Sequence, residues 1–233
     1  MSLYSIASEL SKKEQAVFTS NEVSRIGSIS KASTSVYINR LLKKKLLFRV
    51  EKNKVSTTDD PFIVASQITA PAYLSLTTAL YLHNAIQQIV DTLFVMTPRQ
   101  KKSQEIFGMK TTFVKVSPLR MFGYSKVRKG NSFVMVADIE RAILDCLSFQ
   151  RYCSLQYLCD AFRMASIKKL ETYTLTLKTE SVTRRVGYML DILSIPHHLK
   201  RGTNVIHKLN SRKNKKGVFN KKWYLYVNED VLC

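Results

Sequence analysis

The chain has 233 residues, 45% of them apolar, with only 7 Gly and 5 Pro, so it can bury a real core and is neither disordered nor fibrous. Its 37 Lys and Arg against 17 Asp and Glu leave a formal net charge of +20, an imbalance that points to an anionic partner, either nucleic acid or an anionic membrane. No run approaches the roughly 20 apolar residues of a spanning helix, and Met1 to Glu9 has neither a basic nor an apolar signal region, so the expectation is a cytoplasmic protein that does not enter the membrane.

Leu3 to Glu14 reads as an amphipathic helix, with Leu3, Ile6, Ala7 and Leu10 on one face. Ser20 to Ile26 reads as a short second helix capped by Ser20, with Glu22 in its first turn and Gly27 just past its end. After a turn over Gly27 to Ser30, Ser30 caps a third helix running to about Lys45. LLFRV and KVSTT then form two strands around Lys52-Asn53. Three helices followed by a hairpin is the order of a winged helix-turn-helix.

On a 100° wheel, Thr34, Ile38, Leu41, Leu42 and Lys45 of the third helix fall on one side, while Ser33, Val36, Arg40, Lys43 and Lys44 fall on the other. A hydroxyl, a small apolar group and three cations are what a major-groove helix presents to phosphates, base edges and thymine methyls. With Lys31 and Tyr37 of the same helix and Arg49, Lys52 and Lys54 of the hairpin, these make the candidate DNA-binding set. Residues 1–58 carry eleven Lys and Arg against four Asp and Glu, a net of +7. An isolated KKK is more often a solvated helix end complementing the helix dipole. Its place on a third helix, before a basic hairpin and in a basic chain, favours binding.

TTDDP, Thr57 to Pro61, marks a boundary between an N-terminal domain, 1–58, and a larger one, 59–233. In the second region Pro61 to Ile68 and Pro71 to about Ile89 read as helices. Thr92 to Thr97, Thr111 to Ser117 and Phe133 to Val136 read as strands, and Ala137 to Phe149, with Asp138 as N-cap, Ser154 to Met164 and Ser181 to Leu193 as helices. Lys221 to Val227 is a last strand with Trp223, Leu225 and Val227 inward. The fold class is α+β, an N-terminal winged helix-turn-helix followed by a mixed α/β domain.

No GxSxG, GxxxxGK, GxGxxG or HExxH occurs, so nucleophile-elbow, P-loop, dinucleotide and zincin chemistry lack support. His197-His198 is better read as a polar loop than as a metal site. Asp138 and Glu140 beside Arg141 suit helix capping and ion pairing, with Asp145 or Asp191 as partners for Arg141 and Arg185, better than a nuclease carboxylate pair. Cys146, Cys153, Cys159 and Cys233 read as reduced and packed. No catalytic residue, metal or cofactor is expected. Ile192 to Asn228 holds nine Lys and Arg and no acid, with Trp223, Tyr224 and Tyr226 at its end. Lys200, Arg201, Lys208, Arg212, Lys213, Lys215 and Lys216 form a second candidate patch for nucleic acid or an acidic partner, with the aromatics read as core.

DDPFIVASQI, PAYLSLTTALYLHN, TLFVMTP, VADIERAILDCL, SVTRRVGYMLDIL and WYLYVNEDV, in this order after the predicted winged helix, resemble the AbiE-type antitoxins of type IV toxin–antitoxin systems, which act in abortive infection. The resemblance covers essentially the whole chain. It implies an N-terminal domain that represses its own operon by binding double-stranded operator DNA. It also implies a C-terminal domain that counteracts a cognate nucleotidyltransferase-like toxin, with or without a stable complex, and no enzymatic activity. Lys45 departs from the glycine common before the first wing strand, and the charge exceeds what operator binding needs. An alternative from another class is a basic architectural or RNA-binding protein without operator specificity; a metal-dependent nuclease is a third.

Overall fold

The computed structural model describes residues 2–214 and 217–231. Among these the chain is a mixed α/β protein with nine α-helices and three sheets. It divides into two compact units, one of Met1–Leu74, Asp91–Pro118 and Ser125–Val136, the other of Ser75–Val90, Leu119–Tyr124 and Ala137–Cys233. Among the described residues no helix is long and apolar enough to cross a membrane.

The first unit begins with α1 (Leu3–Ser11), whose first turn is closed by the Ser2 side chain accepting from the Ser5 amide at 3.1 Å. The helix stops before the expected Glu14, and β1 (Val17–Thr19), a strand not expected from the sequence, pairs with β3 (Lys54–Ser56). The cap of α2 (Ser20–Ile26) is Thr19, not Ser20: the Glu22 amide donates to Thr19 Oγ1 at 3.3 Å, while the Glu22 carboxylate takes the Thr19 amide at 2.7 Å, a reciprocal capping box. Ser30 caps α3 (Lys31–Lys43) as expected, and β2 (Phe48–Glu51) turns into β3 through Asn53 at φ 63°. Ile6, Leu10, Phe18, Val23, Ile38, Leu41, Leu47 and Val55 form the core of this part.

Both α2 and α3 end in the same device. Leu46 N donates to Leu41 O and Lys45 N to Leu42 O, each at 3.0 Å, the double bond of a Schellman ending, with Lys45 in the left-handed position at φ 54°. Ser28, at φ 48°, does the same after α2, so the neighbouring Gly27 is not the left-handed residue. Lys45 therefore lies past the helix and exposed, correcting its assignment to the apolar side. Lys45→Gly is expected to stabilise: relief of roughly 1–2 kcal/mol of left-handed strain outweighs roughly 0.4–1 kcal/mol of added unfolded-state entropy. A thermal melt showing an unchanged or lower Tm would contradict it.

The boundary near Asp59 falls in irregular chain, and the compact unit continues past it into α4 (Pro61–Gln67), whose N-cap Asp60 accepts from the Phe62 and Ile63 amides. Gln67 joins the two regions, its Oε1 accepting from Ala16 N at 2.7 Å and its Nε2 donating to Phe133 O at 2.8 Å. Glu51 pairs with Lys101 at 2.5 Å, and Ser132 Oγ donates to Glu14 O at 2.6 Å. The helix expected from Pro71 to Ile89 is instead β4 (Tyr73–Leu74) followed by α5 (Leu76–Leu82), because an all-apolar run suits a buried strand as well as a buried helix. A six-stranded sheet follows, from β5 (Thr92–Thr97), β6 (Gln104–Ile106), β7 (Met109–Lys115), β8 (Tyr124–Lys129) and β9 (Ser132–Ala137), in the order β6-β7-β5-β4-β9-β8. β5 and β7 run parallel over six residue pairs, and β8 is an edge strand with Lys126, Val127 and Arg128 exposed.

The second unit packs α5 with α6 (Ile139–Ser148), α7 (Leu158–Met164), α8 (Ile167–Leu177) and α9 (Glu180–Ile192), followed by a small sheet of β10 (His207–Lys208), β12 (Leu225–Val227) and β11 (Val218–Asn220). α8 was not expected; its three threonines at 172, 174 and 176 lower helix propensity, yet Leu170, Thr174 and Leu177 are buried at helical spacing. The expected strand Lys221 to Val227 shrinks to β12 because Tyr224, at φ 49°, breaks the alternation. Trp223 is nonetheless core, 1% exposed, with its indole nitrogen 2.6 Å from Asp191 Oδ2 and its ring against Gly187.

Candidate nucleic-acid interface

The capped start and Schellman end hold α3 as a helix of 13 residues whose inward residues Thr34, Ile38 and Leu41 are buried in the core. Its other side is open. Lys31, Ser35, Val36, Asn39, Arg40 and Lys43 are exposed, Val36 at 48%, and Lys44 follows at the C-cap. Ser33 and Tyr37 are half-buried; the Ser33 hydroxyl accepts from Ser30 Oγ at 3.0 Å and so is engaged in the cap. Lys44 lies over the Tyr4 ring at 5.2 Å, which extends the cationic end of the helix onto α1.

The hairpin contributes unevenly. Arg49 is exposed and its guanidinium donates to Asn39 Oδ1 at 3.3 Å, aligning hairpin and helix into one face. Lys52 is exposed at the turn. Lys54 is a correction: its ammonium is held by Glu51 at 2.8 Å and by the Ile68 carbonyl at 2.6 Å, so it stitches the hairpin to the following chain and is not offered outward. Asn39 was missed by sequence reading although its position, one residue before Arg40, was visible; an amide side chain there has the donor and acceptor needed for an adenine edge.

The second patch is largely spent on internal contacts. Arg201 lies 4.0 Å from the Tyr224 ring centroid and donates to Thr203 O at 3.0 Å. Lys208 donates to Lys213 O and Asn214 O at 3.2 and 3.3 Å, Lys213 pairs with Glu229 at 3.2 Å, and Arg212 reaches Arg151 O at 3.4 Å. Lys200 is exposed, and Lys215 and Lys216 lie outside the described residues.

The residues weighed for catalysis have structural partners. Asp138 is the N-cap of α6 by position, but its side chain makes no cap bond; it accepts from Tyr173 Oη at 2.9 Å and pairs with Lys169 at 2.9 Å. Burial opposes the Lys169 ammonium, but the Asp138 and Glu140 carboxylates outweigh it and hold its pKa above the ordinary value. Glu140 Oε1 accepts from Ser166 N at 2.8 Å. Arg141 pairs with Asp145 at 2.7 Å as expected. Arg185 finds no acid at Asp145 or Asp191 and instead donates to the carbonyls of Leu147 and Lys208, and burial pulls its pKa down to about 10. Asp191 is taken by Trp223, Lys222 and His197. Among the described residues no group of three His, Cys, Asp or Glu is placed to hold a metal ion. Cys146 and Cys153 are free and buried as read, while Cys159 is disulfide-bonded, a correction; Cys233 lies outside the described residues.

No family model matches the sequence, and no curated protein matches it. Among solved structures the chain is similar to the crystal structure of the RV2827C protein from Mycobacterium tuberculosis, with a TM-score of 0.61 over 94% of this chain and 89% of that one. The two share 13% identity, so the likeness concerns the fold alone.

Proposed function

We propose that the protein is a DNA-binding transcriptional autorepressor and the antitoxin of an AbiE-like type IV toxin–antitoxin system, working in the cytoplasm without cofactor or enzymatic activity. In this reading residues 1–58 are a winged helix-turn-helix, with α3 the recognition helix and the β2–β3 hairpin the wing. The observation that carries it is the division of α3: Thr34, Ile38 and Leu41 are buried, while Val36, Asn39, Arg40 and Lys43 are exposed beside Arg49. Counteraction of a nucleotidyltransferase-like toxin by the larger region rests on the colinear sequence resemblance.

The test is a gel-shift series with the protein's own promoter. Arg40→Ala is expected to weaken operator binding by roughly 1–3 kcal/mol, as removal of an arginine from a guanine edge does, and Lys43→Ala to weaken all sequences alike. The log–log salt slope is expected to fall by about 0.9 for each phosphate that a substitution leaves without its cation. Operator affinity unchanged by both substitutions would refute the recognition face. The net charge of +20 favours one second reading, an architectural or RNA-binding protein, for which any duplex would bind equally.

A further inference from the structure

The small sheet of the second unit pairs two aromatic rings on one face. Tyr226 on β12 stands opposite Phe219 on β11 and beside Lys208 on β10, so the three side chains share one face. On the other parity Leu225 is fully buried while Val218, at the start of β11, is 77% exposed, so the sheet is covered at Leu225 and open toward the start of β11. Phe219 is 40% exposed, and Tyr224 and Tyr226 are half-buried. The left-handed turn at Tyr224 brings its ring to the same cluster: Phe219 lies 5.6 Å from Tyr224 and 5.4 Å from Tyr226 between centroids, and the Arg201 guanidinium covers Tyr224.

We propose that this face is a platform for single-stranded nucleic acid, separate from the duplex surface on α3. Aromatic faces accept any unpaired base, whereas duplex bases are stacked internally and cannot reach them. In charge the surrounding segment suits a phosphate backbone through the lysines left open on it, since Arg201, Lys208, Arg212 and Lys213 are held by internal partners. Lys200 and Lys221 are exposed along it, while Lys222 is paired with Asp191 at 2.7 Å. Cations alone would serve an acidic protein equally well. The cluster adds an aromatic surface, with Phe219 its most open ring, on which an unpaired base can stack.

The test uses the full chain and fluorescence anisotropy with labelled 12-residue oligo(U), oligo(dT) and a duplex of the operator, at one fixed salt concentration. Phe219→Ala is expected to weaken oligo(U) or oligo(dT) binding on the order of ten-fold and to leave duplex binding unchanged, while Phe219→Trp restores wild-type single-strand affinity. Arg40→Ala is expected to do the opposite, lowering operator affinity only, so either surface can fail without the other. Tighter binding of oligo(U) than oligo(dT) identifies RNA through its 2′-hydroxyl, and equal binding identifies stacking alone; both support the platform. If wild type binds neither oligomer at low salt, or if the Ala and Trp variants both match wild type, the proposal is overturned, and the face is left to a protein partner or to charge alone.

Discussion

Asp145→Ala is expected to destabilise the protein by about 3–5 kcal/mol, because it leaves a guanidinium in the core without its counter-charge. Arg141 is fully buried and donates to Asp145 through Nη2 at 2.7 Å and through Nε at 3.3 Å, and Ser75 Oγ donates to the same carboxylate at 2.7 Å. The Arg141 guanidinium also stacks 4.5 Å from the Phe122 ring centroid, so it has no path to water. Removing both charges is a different matter, since a well-packed apolar pair often replaces a buried ion pair at little cost. Chemical denaturation of Asp145→Ala and of Arg141→Met with Asp145→Leu separates the two: a double variant as unstable as the single one would show that the charges themselves stabilise.

Gly187→Ala is the second large effect expected. An added β-carbon would lie 2.1–2.5 Å from three ring carbons of Trp223, well inside contact distance. The indole cannot retreat, for it is 1% exposed and fixed to Asp191. Alanine in a helix gains about 1 kcal/mol over glycine, but overpacking of this severity costs about 3 kcal/mol or more. The net loss of roughly 2 kcal/mol is a fall in Tm of roughly 4–8 °C for a chain of this size. Gly187→Ala combined with Trp223→Leu is expected to cost less than the sum of the two changes. Strict additivity in the melts would show that the ring is not what the glycine accommodates.

Which features were legible in the sequence follows from how local their causes are. The three N-terminal helices and the hairpin were readable because the Ser30 cap and the Leu and Ile spacing act within a turn or two. β1 was invisible: three residues long, it exists only through pairing with β3 nearly forty residues away. The apolar run from Pro71 misled because burial on all sides removes periodicity, and β4 is placed by its neighbours β5 and β9. In the candidate interface the exposed cations of α3 were foreseen by the wheel. The inward fate of Lys54 depends on the carbonyl of Ile68, which no pattern around residue 54 encodes. Likewise Trp223 was readable as core, but the Phe219–Tyr226 pair needs strand register, and the turn at Tyr224 needs a backbone angle.

The interleaving of the two units has a consequence for how the chain is made. It passes between them after Leu74, Val90, Pro118, Tyr124 and Val136. The β1–β3–β2 pairing can close once Ser56 has left the ribosome, because every partner lies before it. The large sheet cannot, since β4 gains its parallel neighbour only when Val136 on β9 emerges. A nascent chain therefore carries a formed head followed by the buried strands β4 and β5 with one side still open, during the interval when unpaired apolar strands are most prone to join another chain. Synthesis is then the stage at which this protein most depends on chaperones, and slow translation between Leu74 and Val136 would prolong that exposure.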